Sequence, residues 1–321
     1  MREKLAALAQ RISERQESLR KLAAGMRAND HSLVEPVEKA SPPLSVCAVD
    51  GGLLSERMHG ADILLCRAVA VRFDYSGSAI SGFAHHPGKN PAPVVEINGS
   101  LDESEALMFR SLVRLRQELS CALEAVRKWS PGALLLDGSL LPLPCDRPPR
   151  ESVLRPLYGE VLGLHGALYS ECGSRKCMLL GVVKDSRSRK LAESLGADCS
   201  DTLLCGYLLN EGERTRGMPY FSGKAPPADL AALGSGVDVF YIKPSKNDLP
   251  LRIEALGTGT SRAASLILAL SAISENFAYP AALVEADMRA ALDPAEMEII
   301  EAMLASLSGM RPLRRNSRPF R

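Results

Sequence analysis

Two aspartates occupy the same unusual place: Asp50 and Asp137 each end a short apolar run, VCAVD and ALLLD, and each is followed by glycine. Apolar runs of that length read as strands covered on both faces, and ligands gather at the carboxyl ends of adjacent parallel strands. Two carboxylates held side by side raise each other's pKa, and a divalent cation is the usual means of keeping both ionised at neutral pH. The plainer alternative is a pair of turn aspartates, each capping the segment after it.

Helical phase picks out a third acid. Over residues 102–129 the apolar stripe is Met108, Leu112, Leu115, Leu119, Ala122 and Val126, and Glu118 lies beside it among Leu115, Cys121 and Ala125. Glu118 therefore faces inward or to the margin, where a snorkelling or capping role competes with ligation. Glu124 shares its face with Gln117, Ser120 and Arg127 and reads as solvated. A fourth acid, Asp287, shares a face with Leu283, Ala290 and Ala291, while Glu285 and Arg289 form an exposed i, i+4 pair. An aspartate on a small-apolar face needs a partner, either a metal or an arginine such as Arg252.

Four carboxylate donors suit Mg²⁺ or Mn²⁺. Two such ions at a phosphodiester align and acidify a water on one side and neutralise the leaving oxygen on the other. Lys184, Lys243, Lys246 and Arg252 are candidate phosphate contacts, each also readable as a solvated surface charge. In a chain that is 5% aromatic, Tyr241, Phe277 and Tyr279 are the few candidates for stacking on bases.

The elements that must position these groups follow from patterning. A β pattern occupies 44–50, 63–73 and more weakly 78–84, which predicts a meander; a loop at 85–100 precedes the long helix. A strand at 133–136, a helix at 154–172, a strand at 178–183 and a helix at 186–195 come next, then strands at 237–243 and 251–256. Closing helices fill 260–308, divided at Tyr279-Pro280 and at Asp293-Pro294, the latter an N-cap followed by proline. A meander with an acid on its first strand, a helix with an acid, a strand ending in an acid and a late helix with an acid make the RNase H-like order. The expected fold class is therefore α/β: an RNase H-like mixed sheet flanked by helices, with an N-terminal amphipathic helix and C-terminal helices.

Residues 1–43 read as that helix and a linker, 44–308 as the main domain, and 309–321 as a basic tail with five arginines and no acid. Leu5, Ile12, Leu19 and Met26 recur seven apart, which fits a helix packed on its own domain or a self-association seam. The tail fits a DNA or partner contact, or a solvated end. Gly257-Thr-Gly-Thr-Ser-Arg lacks a Walker lysine and reads as a helix N-terminal turn rather than a nucleotide loop. With 46% apolar residues, 24% charged and a net charge of +1, the chain is that of a soluble globular protein without a global bias toward anionic partners. Eight scattered cysteines, with no leader before them, suggest reduced thiols in a cytoplasmic protein; the spacings Cys172-x4-Cys177 and Cys199-x5-Cys205 are poor zinc pairs. The apolar stretch 263–273 is too short to cross a bilayer, so no membrane contact is expected.

The motifs also resemble a known family. VCAVDGGLLSERMHGADILLCRAVAV and ALLLDGSLLPL resemble the first two motifs of the NurA nucleases. GVVKDSRSRKLA is similar to their lysine-bearing strand, YIKPSKNDLPLRIEAL to their late hairpin and AYPAALVEADMRA to their closing motif. The resemblance implies a Mn²⁺-preferring single-strand endonuclease and 5′-to-3′ exonuclease on DNA. It further implies a homodimer that works with a HerA-type hexameric ATPase in DNA end resection and double-strand break repair. Carried onto matching positions, it implies Asp50, Glu118 and Asp137 as metal ligands and Tyr279 near the site. The closing motif departs from the family where Asp287 stands in place of a histidine. An oxygen donor there should let Mg²⁺ compete better with Mn²⁺. The same departure supports the competing reading, a catalytically silent DNA-binding or adaptor subunit for the ATPase.

Overall fold

The computed structural model describes residues 1–99, 101–222, 225–271 and 274–309. In chain order come α1 (Arg2–Asn29), β1 (Val34–Pro36), β2 (Ser45–Met58), β3 (Ala61–Ser76), β4 (Ala79–His86) and β5 (Val94–Asn98). Next are α2 (Glu103–Trp129), β6 (Ala133–Asp137), a 3₁₀ turn (Pro144–Asp146), α3 (Arg155–Ser174), β7 (Met178–Val183), α4 (Lys190–Ser194) and α5 (Asp201–Leu208). Last are β8 (Glu213–Thr215), β9 (Met218–Pro219), α6 (Ala231–Gly234), β10 (Val237–Lys243), β11 (Leu251–Leu256), α7 (Thr260–Ser271), α8 (Ala281–Ala290) and α9 (Pro294–Ser308). The chain divides into two compact units, Pro43–Leu179 with the segment from Ala282 onward, and Met1–Pro42 with Leu180–Ala281.

The first of these units carries all four candidate carboxylates. Its strands lie in the order β6-β2-β3-β4, with β5 on the far stretch of β3. β2 and β6 are parallel while β2, β3 and β4 are antiparallel, so the sheet is mixed, as the fold class requires. β2 does not stop at Asp50, as its apolar run suggests, but continues to Met58. The cause is β3, which offers an unbroken antiparallel partner from Ser45↔Asp74 to Met58↔Ala61. The turn residue Gly60 has φ +98°, open to glycine at no steric cost. The segment 85–100, expected as a loop, contains β5, whose VVEIN is too short a run to announce a strand without β3 beside it.

Helix α2 begins at Asp102, whose carboxylate accepts from the Glu105 amide at 2.8 Å. It packs Leu112, Leu119, Ala122 and Val126 inward and lies against β2, β3 and α3. Helix α8 places the small side chains of Ala286 and Ala290 on Val69 and Val71 of β3. Helix α9 packs Met297 on Met58, Ile63 and Leu65, and Asp293 and Glu296 form the expected capping box at its start.

In the other unit the strand order is β1-β8-β10-β11-β7, with β9 beside β10. Residues 31–43, expected as a linker, include β1, paired with β8 from Val34↔Thr215 to Pro36↔Glu213. The expected helix 186–195 shortens to α4, and α5 follows where the sequence pattern had suggested no element. Helix α1 buries Leu19 and Ala23 against Leu33, Ala192, Leu204 and Leu208, whereas Leu5, Leu8 and Ile12 are about half exposed. Gly257 and Gly259 both take positive φ just before α7, the helix-entry turn expected there. All eight cysteines are free thiols and only Cys145 is exposed. No helix among the described residues is long and apolar enough to cross a membrane. The basic tail lies, but for its first residue, outside the described residues.

Candidate metal centre

The parallel ladder between β2 and β6 runs from Val46↔Ala133 to Val49↔Leu136, so the next residues along, Asp50 and Asp137, are neighbours. Asp50 thus sits in mid-strand and Asp137 at a strand end. Asp50 is buried and accepts from the Gly51 amide at 2.7 Å. Its burial, followed by the negative charges of Asp137, Glu118 and Asp287, pushes its pKa from 3.8 up to about 8.

Glu118 is buried on the inward face of α2, as its phase predicted. Burial pushes its carboxyl up to about 7, against the pull of Arg114 one turn earlier; the charge of Asp137 adds to the rise. Arg114 Nη1 donates to Glu118 Oε1 at 2.6 Å. Glu124 is exposed, again as phase predicted, and pairs with His86 at 2.8 Å.

The two glycines after Asp50 explain how helices reach this strand so closely. A Cβ on Gly51 would stand 2.5 Å from Glu118 Oε1, and one on Gly52 would stand 2.1 Å from the carbonyl oxygen of Ala290 in α8. Gly138 after Asp137 has φ +134°, so that turn also needs glycine.

Asp287 is exposed, which corrects its expected place on the small-residue face of α8. That face is formed by Ala282, Leu283, Ala286 and Ala290, and position 287 falls about 100° round the helix from 286. Its charge still reaches Asp50, as the smallest of the three acidic contributions. Arg252 is not its partner. Both Nε and Nη2 of that arginine donate to Glu254 Oε1, at 3.0 and 2.8 Å, and both residues are buried.

The other candidate substrate contacts share Arg252's unit. Lys184 is exposed, with its ammonium 4.4 Å from the centre of the Tyr279 ring. Tyr279 is buried and its hydroxyl donates to the Val182 carbonyl at 3.4 Å. Lys243 is half-buried and donates to the Gly206 carbonyl at 3.5 Å, and Lys246 is exposed. Tyr241 is buried and donates to Asp201 at 2.8 Å, which removes it from any stacking surface; Phe277 is half exposed.

Two arginines that composition and phase did not single out shape the centre. Arg114 neutralises Glu118. Arg67, opposite Gly52 in the β2–β3 ladder, donates to the carbonyl of Ala291 at 2.9 Å and to Glu296 at 2.5 Å, clamping the junction of α8 and α9. An i, i+4 Arg-Glu spacing at 114 and 118 was the available signal for the first; nothing local marks the second.

The donor set fits a hard divalent ion. Asp50, Glu118 and Asp137 offer oxygens from one unit, and their mutual repulsion, expressed in the raised Asp50 carboxyl, is what such an ion relieves. Among the described residues no three acidic, imidazole or thiol groups already stand in a metal-holding arrangement, and Glu118 is engaged by Arg114.

No curated protein is significantly similar in sequence to the chain. Solved structures share its fold. The NurA nuclease from Sulfolobus solfataricus is 17% identical and matches over 95% of each chain with a TM-score of 0.68. A NurA crystal structure bound to dAMP and manganese is 13% identical, with 96% of this chain and 98% of that chain matched and a TM-score of 0.60. The NurA domain model matches residues 44–292. That span is well over half of the chain and contains all four acids, and the chain belongs to the NurA family.

Proposed function

We propose that the protein is a metal-dependent DNA nuclease that hydrolyses phosphodiester bonds with Asp50, Glu118, Asp137 and Asp287 as its metal-binding carboxylates. The observation that carries the proposal is the buried Asp50, beside Asp137 on a parallel ladder, with its carboxyl pushed up to about 8 by burial and three acidic neighbours. Mn²⁺ or Mg²⁺ bound there would supply an acidified water and positive charge for the leaving oxygen. The side chains supply the rest: Asp50 and Asp137 present their carboxylates from the sheet, Glu118 approaches over Gly51, and Asp287 on α8 adds its charge to that felt by Asp50.

The likeness to NurA crystal structures, one with dAMP and manganese, supports a nuclease with such a centre. We extend the reading to single-strand endonuclease and 5′-to-3′ exonuclease activity in end resection and double-strand break repair, by a cytoplasmic homodimer with a HerA-type hexameric ATPase. Exposed Lys184 and Lys246 are the basic residues best suited to phosphate contact.

A time course on end-labelled single-stranded DNA with Mn²⁺, Mg²⁺ or chelator, run beside Asp137→Asn, tests the proposal. Metal-dependent shortening by the wild type alone is expected. Equal products from both proteins would sink it. The exposed position of Asp287 and the engagement of Glu118 by Arg114 favour a second reading, a silent DNA-binding or adaptor subunit. Calorimetric titration with Mn²⁺ separates the two, since a silent subunit shows no heat that Asp50→Ala abolishes.

A further inference from the structure

We propose that Arg114 is the resident counter-cation of the carboxylate cluster, holding Glu118 until a divalent ion takes its place. The inference deepens the metal-dependent reading and rests on it. Ser111, Arg114 and Glu118 follow at i, i+3 and i+7 and form a polar strip along α2, with Ser111 and Arg114 half-buried and Glu118 buried. Arg114 Nη1 reaches Glu118 Oε1 at 2.6 Å, and Ser111 donates to the buried Asp146 at 2.6 Å. The guanidinium charge is held first by Glu118 and further by Asp50 and Asp146, so three carboxylates favour it in its place.

A divalent ion seated on Asp50 and Asp137 would draw on the same Glu118 oxygens. A guanidinium in contact with those oxygens repels that ion, because two cations at such range in a partly dry site oppose each other strongly. One carboxylate cannot serve both fully, and loading requires Glu118 to leave Arg114. Asp146 then remains as a carboxylate toward which the released guanidinium is already drawn. Arg114 is in this sense a positioning residue: it offsets part of the negative charge of the metal-free cluster, chiefly that of Glu118, and sets how readily the site loads.

The test compares wild type, Arg114→Gln, Arg114→Lys and Asp137→Asn in the full chain. Each is melted with and without Mg²⁺ and titrated with Mg²⁺ by calorimetry, all at one fixed pH. Arg114→Gln is expected to melt several degrees lower without metal, yet to bind Mg²⁺ about tenfold more tightly, so the rise in Tm on adding Mg²⁺ exceeds that of wild type. Arg114→Lys, which keeps the charge, is expected to stay within about threefold of wild type in Mg²⁺ affinity. An Arg114→Gln protein that folds only with Mg²⁺ is the same result in stronger form. Equal loss of Tm with and without Mg²⁺, weaker Mg²⁺ binding, or failure to fold in both conditions overturns the exchange while wild-type binding stands. If wild type and Asp137→Asn titrate alike, the metal reading itself falls and takes this inference with it.

Discussion

Asp50 and Asp137 are next-door residues on two parallel strands, one step beyond the pair Val49↔Leu136, although 86 residues of chain separate their origins in β2 and β6. Their side chains share one charged neighbourhood, and burial leaves little water to screen it. Most of what can be tested about this protein follows from that adjacency.

Replacing Asp50 by asparagine removes the repulsion without changing side-chain size. Metal-free Asp50→Asn should be more stable than wild type at pH 9, by roughly 1–3 kcal/mol, and should lose about 10²–10³-fold in any metal-dependent cleavage. Thermal melts in chelator and end-labelled DNA assays measure the two effects. A variant that is both less stable and fully active contradicts the assignment.

The raised carboxyls also set a pH dependence. Folded Asp50 and Glu118 titrate at about 8 and about 7, whereas their ordinary values are 3.8 and 4.5. Across that window the folded chain holds more protons than the unfolded one, so their contribution to stability is complete below the ordinary values and is lost as pH rises through 7 to 8. Melting in chelator from pH 5 to 9 should show the decline, and stabilisation by Mg²⁺ should grow over the same range. A metal-free Tm that rises from pH 5 to 8 would count against it.

The two glycines of β2 should respond differently to a methyl group. Gly52→Ala meets the backbone oxygen of Ala290 at 2.1 Å and should cost about 1–3 kcal/mol, because a helix must shift. Gly51→Ala meets the Glu118 side chain, Oε1 at 2.5 Å and Cγ at 2.7 Å, rather than backbone, so it should cost less stability while weakening metal binding. Melts and Mn²⁺ titrations of both variants decide this, and equal behaviour would show that Glu118 is not where the metal is bound.

Asp287 should be the least critical of the four acids, because it is exposed and acts on Asp50 least. Asp287→Ala is expected to lose less cleavage than Asp137→Asn, by about tenfold or more. Asp287→His should raise the ratio of Mn²⁺- to Mg²⁺-supported activity, since imidazole nitrogen suits Mg²⁺ poorly. An unchanged ratio would remove Asp287 from the ligand set.

Sequence alone determined the elements whose signals are local. The phase of α2, with its inward Glu118 and outward Glu124, follows from a 3.6-residue period, and the capping of α9 follows from Asp293 and Pro294. The bounds of β7, β10 and β11 were legible in the sequence, and the five motifs in order identified the family. Tertiary structure decided what depends on a partner strand or helix. β2 runs past Asp50 because β3 pairs with it, β1 and β5 exist because β8 and β3 accept them, and Asp287 turns outward because Ala286 and Ala290 take the inward face. The charge balance at the centre belongs to the same class. That Arg114 holds Glu118 while Arg252 is committed to Glu254 is set by which side chains burial brings within hydrogen-bond reach, and residue spacing only proposes the possible pairs.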